Sequence, residues 1–264
     1  MTTDRVADLA RIQDALVQAG EVLRGLWERN LRISYKQGDD PVTEADHAAD
    51  ALLKRILPRG DDGWLSEETA DDPSARLGRR RVWIVDPLDG TREYVEKIPE
   101  WCVSIGLVED GVPVAGGIHN PVTKQLVVGA VGHGVTLNGS PVVARPRSSL
   151  TGAQVLASNS EVARGEWDEF ADEPFEVISV GSVAYKLGLV AAGLTDATWT
   201  FTPKHEWDVA GGAALVLASG GMVYNLDGSP ARFNLPKPKL PGFVAFSGAS
   251  RALFEPWFAS RWRR

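Results

Sequence analysis

Residues 83–94, WIVDPLDGTREY, bring two aspartates to the end of an apolar run. Pro87 has a fixed φ directly after Asp86, and Asp89-Gly90 is a favourable pair for a turn. The apolar residues before Asp86 predict a short buried strand. This carboxylate therefore lies at the edge of a core, where it needs a hydrogen-bond partner or a cation. Taken alone, the motif DPLDGT fits either a surface turn or a metal site that faces a phosphate.

The residues after this turn favour the second interpretation. Gly90-Thr91 leads into REYVEK, which predicts a short helix. The first N–H groups of a helix have no partner inside the helix, so they would face an anion. An anionic substrate next to two carboxylates also needs local positive charge, from a metal, from helix N-termini or from a few basic side chains.

Composition bounds the class of protein. The chain has 264 residues, of which 44% are hydrophobic and 24% charged, as expected for one large or two modest globular domains. No apolar run approaches the ~20 residues of a membrane span. The N-terminus lacks the basic start and apolar block of a signal peptide, so we expect a cytoplasmic protein. A net charge of −7 argues against a nucleic acid polymer as partner. Cys102, the single cysteine, is expected to be a small core residue.

The apolar pattern predicts a different order of elements in the two halves of the chain. The first half begins with two helices and continues as an antiparallel meander, whereas strands and helices alternate in the second half. The stretch ARPRSSLTG at 144–152 has linker composition and predicts a boundary between a domain at 1–145 and a domain at 146–264. The predicted helices are 4–29, 43–57, 181–192, 208–219 and 249–259, and the meander is 101–137.

Further acidic residues stand at the ends of other predicted elements. Glu67 and Glu68 follow the apolar pair WL, Asp208 starts a helix in HEWDVAGG, and Asp46 has capping-box spacing from Thr43. Each has an ordinary explanation as an exposed loop or a helix cap. Together they form an oxygen-only ligand set, which selects a hard cation such as Mg²⁺ over zinc. The histidines show no zinc spacing and are expected in ordinary surface or core positions: His47, His119, His133 and His205.

These motifs resemble those of the inositol monophosphatase superfamily, the Mg²⁺-dependent, lithium-sensitive phosphatases. The resemblance rests on EE at 67–68, WIVDPLDGT at 83–91 and EWDVAGGAALVLASGG at 206–221, with DPVTEAD upstream, and it covers almost the whole chain in the correct order. It implies an α/β (α+β) fold, the layered α-β-α-β-α sandwich, often as a homodimer. It also implies a small phosphorylated metabolite as substrate, with no membrane partner. Two or three Mg²⁺ per site, substitution by Mn²⁺ and inhibition by Li⁺ are further implications.

The resemblance assigns a role to each motif residue. Glu67, Asp86 and the carbonyl of Leu88 would hold the first metal; Asp86, Asp89 and Asp208 would hold the second. Glu67 would also help to hold a third, weaker ion. Thr91 and Asp46 would accept the proton of the attacking water, and Glu68 is grouped with them as a catalytic residue. The residues expected to bind substrate are Asp89, Gly90, Thr91, Gly181, Ser182, Lys186, Phe201 and Asp208.

Several details bear on the choice of phosphate ester. Arg92-Glu93-Tyr94 looks like the Lys/Arg-Glu-Phe of bacterial 3′(2′),5′-bisphosphate nucleotidases. Lys186 is similar to a lysine in the equivalent nucleotidase helix. An ordinary solvated lysine on a helix would explain Lys186 equally well. Phe201 stands where animal inositol enzymes have a glutamate, and its ring could lie against a purine. TPKHEWD departs from the nucleotidase loop. We expect a nucleotidase acting on 3′-phosphoadenosine 5′-phosphate. The alternatives are an inositol-1-monophosphatase, a related sugar or histidinol phosphate phosphatase, and, more remotely, a non-catalytic binding protein.

Overall fold

A computed structural model describes residues 5–29, 33–35, 41–143 and 146–262. Part of the polar loop YKQGDDPVT and residues 144–145 of the predicted linker lie outside these ranges, so the boundary between residues 145 and 146 stays a prediction. Among the described helices, none combines the length and the apolar character needed to cross a membrane.

Two helices and a short ribbon form the N-terminal layer. Helix α1 is Arg5–Trp27 and helix α2 is Glu44–Ile56, joined through strands β1 (Ile33–Tyr35) and β2 (Pro41–Thr43). Helix α2 begins where the sequence predicts, because Thr43 and Asp46 form a capping box at its start. The helix is followed by Leu57 as its C-cap, directly before Pro58. Both predicted helices are therefore confirmed.

The larger sheet has seven strands in chain order. The first two strands are parallel and every later pair is antiparallel, which confirms the predicted meander. Cys102 opens the third of these strands and is fully buried, as predicted. The short helices α3 (Pro73–Arg76) and α4 (Thr91–Val95) flank the second strand. The strands are β3 (Gly63–Ser66), β4 (Arg81–Asp89), β5 (Cys102–Glu109), β6 (Val112–Asn120), β7 (Gln125–Ala130), β8 (Gly134–Leu137) and β9 (Ser140–Pro141).

The second half of the chain builds a five-stranded mixed sheet with the order β11-β10-β12-β16-β14. Its strands are β10 (Gln154–Ser158), β11 (Glu176–Val180), β12 (Ala197–Thr200), β14 (Met222–Asn225) and β16 (Phe243–Phe246). A separate ribbon pairs β13 (Lys204–His205) with β15 (Lys239–Leu240). The helices are α5 (Asn159–Ala163), a 3-10 turn (Asp168–Phe170), α6 (Val183–Ala191), α7 (Glu206–Ala218) and α8 (Arg251–Trp262).

Helices α6 and α7 form the layer between the two sheets. Helix α7 packs closely on the larger sheet, because a Cβ on Gly211 would stand only 2.6 Å from the Oγ of Ser104. The opposite side of this helix layer contacts strands of the smaller sheet, with α8 beyond it. Helices α1 and α2 cover the outer face of the larger sheet. The predicted α-β-α-β-α sandwich is confirmed, with apolar cores between successive layers.

Candidate active site

Strand β4 carries both aspartates of DPLDGT, and its pairing with β5 is interrupted between them. The regular register ends at Asp86, opposite Ser104, and resumes at Asp89, opposite Cys102. Within this interruption the N–H of Leu88 donates to Oδ1 of Asp86 at 2.9 Å. The strand therefore extends to Asp89 and does not stop at Asp86 as the sequence suggests. The local irregularity re-aims side chains next to a site, a common use of such bulges.

Gly90 turns the chain from β4 into helix α4. Its φ is +96°, and a Cβ at this position would lie 2.9 Å from the backbone oxygen of Glu100. Glycine is the residue that tolerates both the left-handed conformation and this close approach. Gly90 and Thr91 both line the cavity described below.

Thr91 and Asp46 meet at the start of helix α4. The Thr91 hydroxyl is 3.2 Å from Oδ1 of Asp46 and 3.0 Å from the carbonyl oxygen of Leu88. The other carboxylate oxygen of Asp46 accepts from the N–H and the hydroxyl of Thr43, at 2.8 and 2.7 Å. Burial raises the pKa of Asp46, while the hydrogen bonds from Thr43 and Thr91 lower it in part. The capping box thus aims Asp46 at Thr91.

The acidic residues that were predicted to hold metal line one cavity of about 550 Å³. Burial raises the pKa of Asp86 well above its usual range, and the negative charge of Glu67 and of Asp89 raises it further. Burial has the same effect on the pKa of Asp208, again reinforced by its acidic neighbours. Carboxylates that repel one another in a buried site bind a cation favourably. Glu67, Asp86, Leu88, Asp89 and Asp208, the predicted metal ligands, all line this cavity.

These carboxylates also bind neighbouring donors on the protein. Asp89 accepts from the Ser182 hydroxyl at 2.7 Å and from the N–H of Ala184. Asp208 accepts from the N–H of His205 at 3.0 Å as the third residue of α7, so it belongs to a capping box and does not start the helix. Among the described residues, no group of three or more acidic, histidine or cysteine side chains is arranged so that it could hold a metal ion. The donor set nevertheless fits a hard divalent cation, since ionised carboxylates keep further lone pairs for it.

Helix α6 supplies the opposite wall of the cavity. Ser182 precedes it in a left-handed conformation, with φ +57°, and its hydroxyl accepts from the N–H of Tyr185 at 3.0 Å. Gly181 donates its N–H to Oε2 of Glu100 at 2.7 Å, and a Cβ at Gly181 would collide with Glu93. Gly181 and Ser182 both line the cavity, as predicted for substrate-binding residues.

Lys186 lies on the same wall and is buried, so it is not a solvated helical lysine. Only 2% of the residue is exposed, and its Nζ donates to the carbonyl oxygens of Val180 and Ser182, at 2.9 and 3.0 Å. Burial lowers the pKa of Lys186 to about 8, although the negative charge of Asp89 opposes this shift. A buried ammonium at a cavity wall is a strong attraction for an anion.

Several residues that line the cavity were not predicted from the sequence, among them Lys204, Ser158 and His205, which was expected in an ordinary surface or core position. Lys204 on β13 lines the cavity, and its positive charge acts to lower the pKa of Asp89 and of Asp208. Ser158 ends β10, and its buried hydroxyl has no hydrogen-bond partner within the described part of the chain. The only sequence signal for Lys204 was its place directly before the motif HEWD. A serine that ends a predicted strand gives no signal of its own.

Phe201 and Glu68 lie outside the cavity wall. Phe201 stacks on Phe170, with ring centroids 6.2 Å apart and an interplanar angle of 3°, and it also contacts Trp167. Its ring is partly buried and packs against the aromatic core of the C-terminal half, and Phe201 is not among the residues that line the cavity. The expected contact of Phe201 with a purine stays a prediction. The side chain of Glu68 is 4% exposed and lies 3.8 Å from Nδ1 of His47. It is not among the residues that line the cavity.

Buried carboxylates, a paired hydroxyl and aspartate, and a glycine turn at the edge of a layered sandwich fit a phosphomonoesterase of a metal-dependent class. Comparison with known proteins gives the same class. The chain matches the model of the Inositol monophosphatase family over residues 5–250. It is 35% identical over 239 residues to Inositol monophosphatase 2 of Solanum lycopersicum, covering 84% of this chain and 88% of that protein.

Solved structures agree with this match. The inositol monophosphatase of Anabaena is 30% identical, with a TM-score of 0.74 and coverage of 96% of this chain and 97% of that chain. CysQ from Bacteroides thetaiotaomicron, a bacterial member of the inositol monophosphatase family, is 29% identical, with a TM-score of 0.77 and coverage of 92% and 97%. The chain belongs to the inositol monophosphatase family and is a phosphoric monoester hydrolase.

Proposed function

We propose that the protein hydrolyses a small phosphate monoester that carries a second anionic group, with 3′-phosphoadenosine 5′-phosphate as the expected substrate. The observation that carries this proposal is the buried ammonium of Lys186 on the cavity wall. The protein would then act as a 3′(2′),5′-bisphosphate nucleotidase.

The proposed chemistry divides between the carboxylates and the Thr91–Asp46 pair. Glu67, Asp86, the carbonyl of Leu88, Asp89 and Asp208 would hold the divalent cations. When bound, these cations supply Lewis-acid polarisation of the phosphoryl group and lower the pKa of water. Thr91 accepts a proton from the attacking water and passes its own to Oδ1 of Asp46, which lies 3.2 Å away. The raised pKa of Asp46 makes this carboxylate a better proton acceptor than an exposed one.

The turn at Gly90 positions the scissile phosphate. The first hydrogen bond inside helix α4 runs from the N–H of Tyr94 to the carbonyl of Gly90, at 2.9 Å. The N–H groups before it, on Gly90 and Thr91, therefore have no acceptor inside the helix and are suited to phosphate oxygens. Because Gly90 has no side chain, the phosphate can approach this backbone closely.

The second anionic group is assigned to the wall that carries Lys186. An ammonium has three N–H donors. Within the described chain two of them are used by the carbonyls of Val180 and Ser182, which leaves one for a ligand. Lys204 adds a second positive charge to the cavity, and the buried hydroxyl of Ser158 adds a neutral donor. A monophosphate of an uncharged sugar would leave Asp89 and Glu93 as the anionic neighbours of Lys186 in the cavity.

An inositol-type monophosphatase is the second candidate. It is favoured by the relative from Solanum lycopersicum, which carries that name and matches most of this chain. Phe201 is also not among the residues that line the cavity, so its ring gives no support to adenine recognition. The alternative predicts that the cations of the wall contact hydroxyl groups and not a second phosphate.

Other expected properties rest on the family resemblance and complete the proposal. They are Mg²⁺ as the cation with Mn²⁺ as a substitute, inhibition by Li⁺, a homodimer and a cytoplasmic location.

A substrate panel tests the proposal. Initial rates with Mg²⁺ are measured on four substrates: 3′-phosphoadenosine 5′-phosphate, inositol-1-phosphate, fructose-1,6-bisphosphate and histidinol phosphate. The wild type is compared with Lys186→Met. The control variant is Lys124→Met, because Lys124 lies on an exposed turn. We expect the adenosine bisphosphate to have the highest kcat/KM, and Lys186→Met to lower it by roughly 10–100-fold, as expected for loss of a charged contact of ~1.5–3 kcal/mol. A strong preference for inositol-1-phosphate, unaffected by Lys186→Met, would establish the alternative.

A further inference from the structure

Arg76 is a fully buried arginine outside the cavity. It lies on helix α3 with 0% exposure and forms a fork with Asp71, from Nε to Oδ1 at 2.6 Å and from Nη2 to Oδ2 at 2.7 Å. Its Nη1 donates to Oδ1 of Asn234 at 2.8 Å and to the carbonyl of Leu235 at 3.0 Å. An arginine is rarely buried so completely unless the N–H groups of its guanidinium have hydrogen-bond partners.

The residues that Arg76 holds also bind the first residue of helix α7. The N–H groups of Asn234 and Leu235 donate to the carboxylate of Glu206, at 2.6 and 2.9 Å. Glu206 is fully buried and stands two residues before Asp208. The side-chain amide of Asn234 also donates back to the carbonyl of Arg76 at 3.3 Å. These contacts close a continuous hydrogen-bonded network, which we call the Arg76 clasp: Asp71, Arg76, Asn234, Leu235 and Glu206.

The clasp joins two segments that carry predicted metal ligands. Helix α3 belongs to the connection between β3 and β4, the same connection that begins with Glu67. Helix α7 carries Asp208 in its first turn. The bond between Arg76 and Asn234 spans 158 residues of sequence, so no local turn could supply this link.

The conformation of Asn234 indicates that the clasp imposes a specific backbone geometry. Its φ is +58°, in the left-handed region that asparagine tolerates better than most residues. In this conformation both its N–H and that of Leu235 meet one carboxylate. A buried ionic network contributes little net stability compared with apolar packing, so its use here points to geometric specificity.

We propose that Arg76 is a positioning residue for the metal centre, acting through Asn234 and Glu206 to fix the spacing between Glu67 and Asp208. The inference rests on the proposed metal-binding role of these two carboxylates. Loss of the guanidinium fork frees the connection after β3 to move relative to the first turn of α7. The carboxylates then bind a divalent cation less tightly, as happens when the supporting partners of metal ligands are removed.

The test measures Mn²⁺ binding to the substrate-free protein by calorimetry, together with the melting temperature. The variants are Arg76→Met, which removes the fork, and Arg76→Lys, which keeps a charge but not the planar geometry. The control is Arg5→Met, because Arg5 on α1 makes ion pairs with Asp8 at 3.1 Å and with Glu109 at 3.2 Å, and neither α1 nor β5 carries a predicted metal ligand. Asn234→Gly is a milder variant, which keeps the backbone donors to Glu206 and accommodates the positive φ.

We expect Arg76→Met to raise the Kd for Mn²⁺ by ~10–100-fold, and Arg76→Lys and Asn234→Gly to raise it by a smaller factor. Arg5→Met is expected to leave this Kd within about twofold even where it lowers the melting temperature as much as Arg76→Met does. If Arg76→Met does not fold, Asn234→Gly decides the outcome. Variants of Arg76 or Asn234 that bind Mn²⁺ as tightly as the wild type, or an equal loss in Arg5→Met, overturn the inference. A wild type that binds no Mn²⁺ overturns the proposed function itself.

Discussion

The hydroxyl of Thr91 lies 3.2 Å from Oδ1 of Asp46, although the two residues are 45 positions apart in the chain. Local geometry sets both ends of this contact. The capping box holds Asp46 at the start of α2, and the turn at Gly90 delivers Thr91 at the start of α4. The same threonine also donates to the carbonyl of Leu88, a predicted metal ligand. The Thr91–Asp46 pair, which is proposed to transfer the proton, therefore lies next to the proposed cation site.

Removing the Thr91 hydroxyl is expected to abolish most of the activity without unfolding the protein. We expect Thr91→Val to lower kcat by ~10²–10⁴-fold, the usual contribution of a positioned proton acceptor, and Thr91→Ser to retain most of the rate. Steady-state kinetics with saturating Mg²⁺ checks this, with Thr136→Val as a control because the Thr136 hydroxyl binds only the Val128 carbonyl among the described contacts, at 3.3 Å. A Thr91→Val enzyme with wild-type turnover contradicts the proposed relay.

The buried ammonium of Lys186 is expected to make stability depend on pH. Because burial lowers its pKa in the folded protein to about 8, the folded state binds fewer protons than the unfolded state between that pH and the ordinary lysine value. Stability from this group therefore rises with pH across this window and is lowest below pH 8. Relative to Lys186→Met, the wild type should gain ~1–3 kcal/mol in the free energy of unfolding between pH 7 and pH 10.

Denaturant unfolding of both proteins at several pH values measures this difference. A constant difference between wild type and Lys186→Met over the whole range would show that the ammonium does not lose its charge in this window. With the bisphosphate as substrate, kcat/KM should fall as pH rises through about 8, since the neutral amine no longer attracts an anion.

Divalent cations are expected to stabilise the protein through the acidic cluster. Mutual repulsion and burial raise the pKa of Asp86 in the metal-free protein, so neutralising this residue relieves a penalty near neutral pH. Asp86→Asn should therefore unfold at a temperature equal to or above that of the metal-free wild type. Addition of Mg²⁺ at one hundred times its Kd should stabilise the wild type by about 2.7 kcal/mol and leave Asp86→Asn unchanged.

Thermal scans with Mg²⁺ and with a chelator check the expected stabilisation. An equal Mg²⁺-dependent shift in Asp86→Asn would show that the cation binds elsewhere.

Gly90 is expected to tolerate no side chain. Gly90→Ala combines a φ of +96° with a contact of 2.9 Å between the new Cβ and the carbonyl oxygen of Glu100. We expect a loss of ~1–3 kcal/mol in stability and a fall in kcat, because the phosphate-binding backbone must move. Gly78→Ala is the matched control, since its φ is +82° but the space around it is open. It should cost about 1 kcal/mol and leave kcat unchanged. Equal kinetics for the two variants would contradict the role of the Gly90 turn.

Features encoded in a few neighbouring residues could be predicted from the sequence. Thr43 and Asp46 fix the start of α2, and the run WIVD followed by a turn identifies β4 and its aspartates. The predicted metal ligands all reach the same cavity. Local helix caps and turns position these ligands, so the sequence motifs were enough to predict that the ligands lie together.

Features that depend on distant pairing could not be predicted in this way. Strand β11 at Glu176–Val180 is a half-exposed edge strand with weak alternation. Lys204 reaches the cavity because β13 pairs with β15, and Leu240 is its partner. Phe201 was expected to contact the substrate because it stands where animal inositol enzymes have a glutamate, whereas its ring packs on Phe170 beside the aromatic core. The spacing of residues along the chain does not show whether a side chain will line a cavity or pack against a core, because tertiary contacts decide this.

The most direct test of the account is an anomalous difference map from a crystal grown with Mn²⁺. The account predicts two strong peaks, about 4 Å apart. Asp86 should contact both, with Glu67 on one side and Asp208 on the other. A map with no peak among these oxygens, or with the ion bound to a different set of residues, would contradict the assignment of a metal-dependent phosphatase site to this cavity.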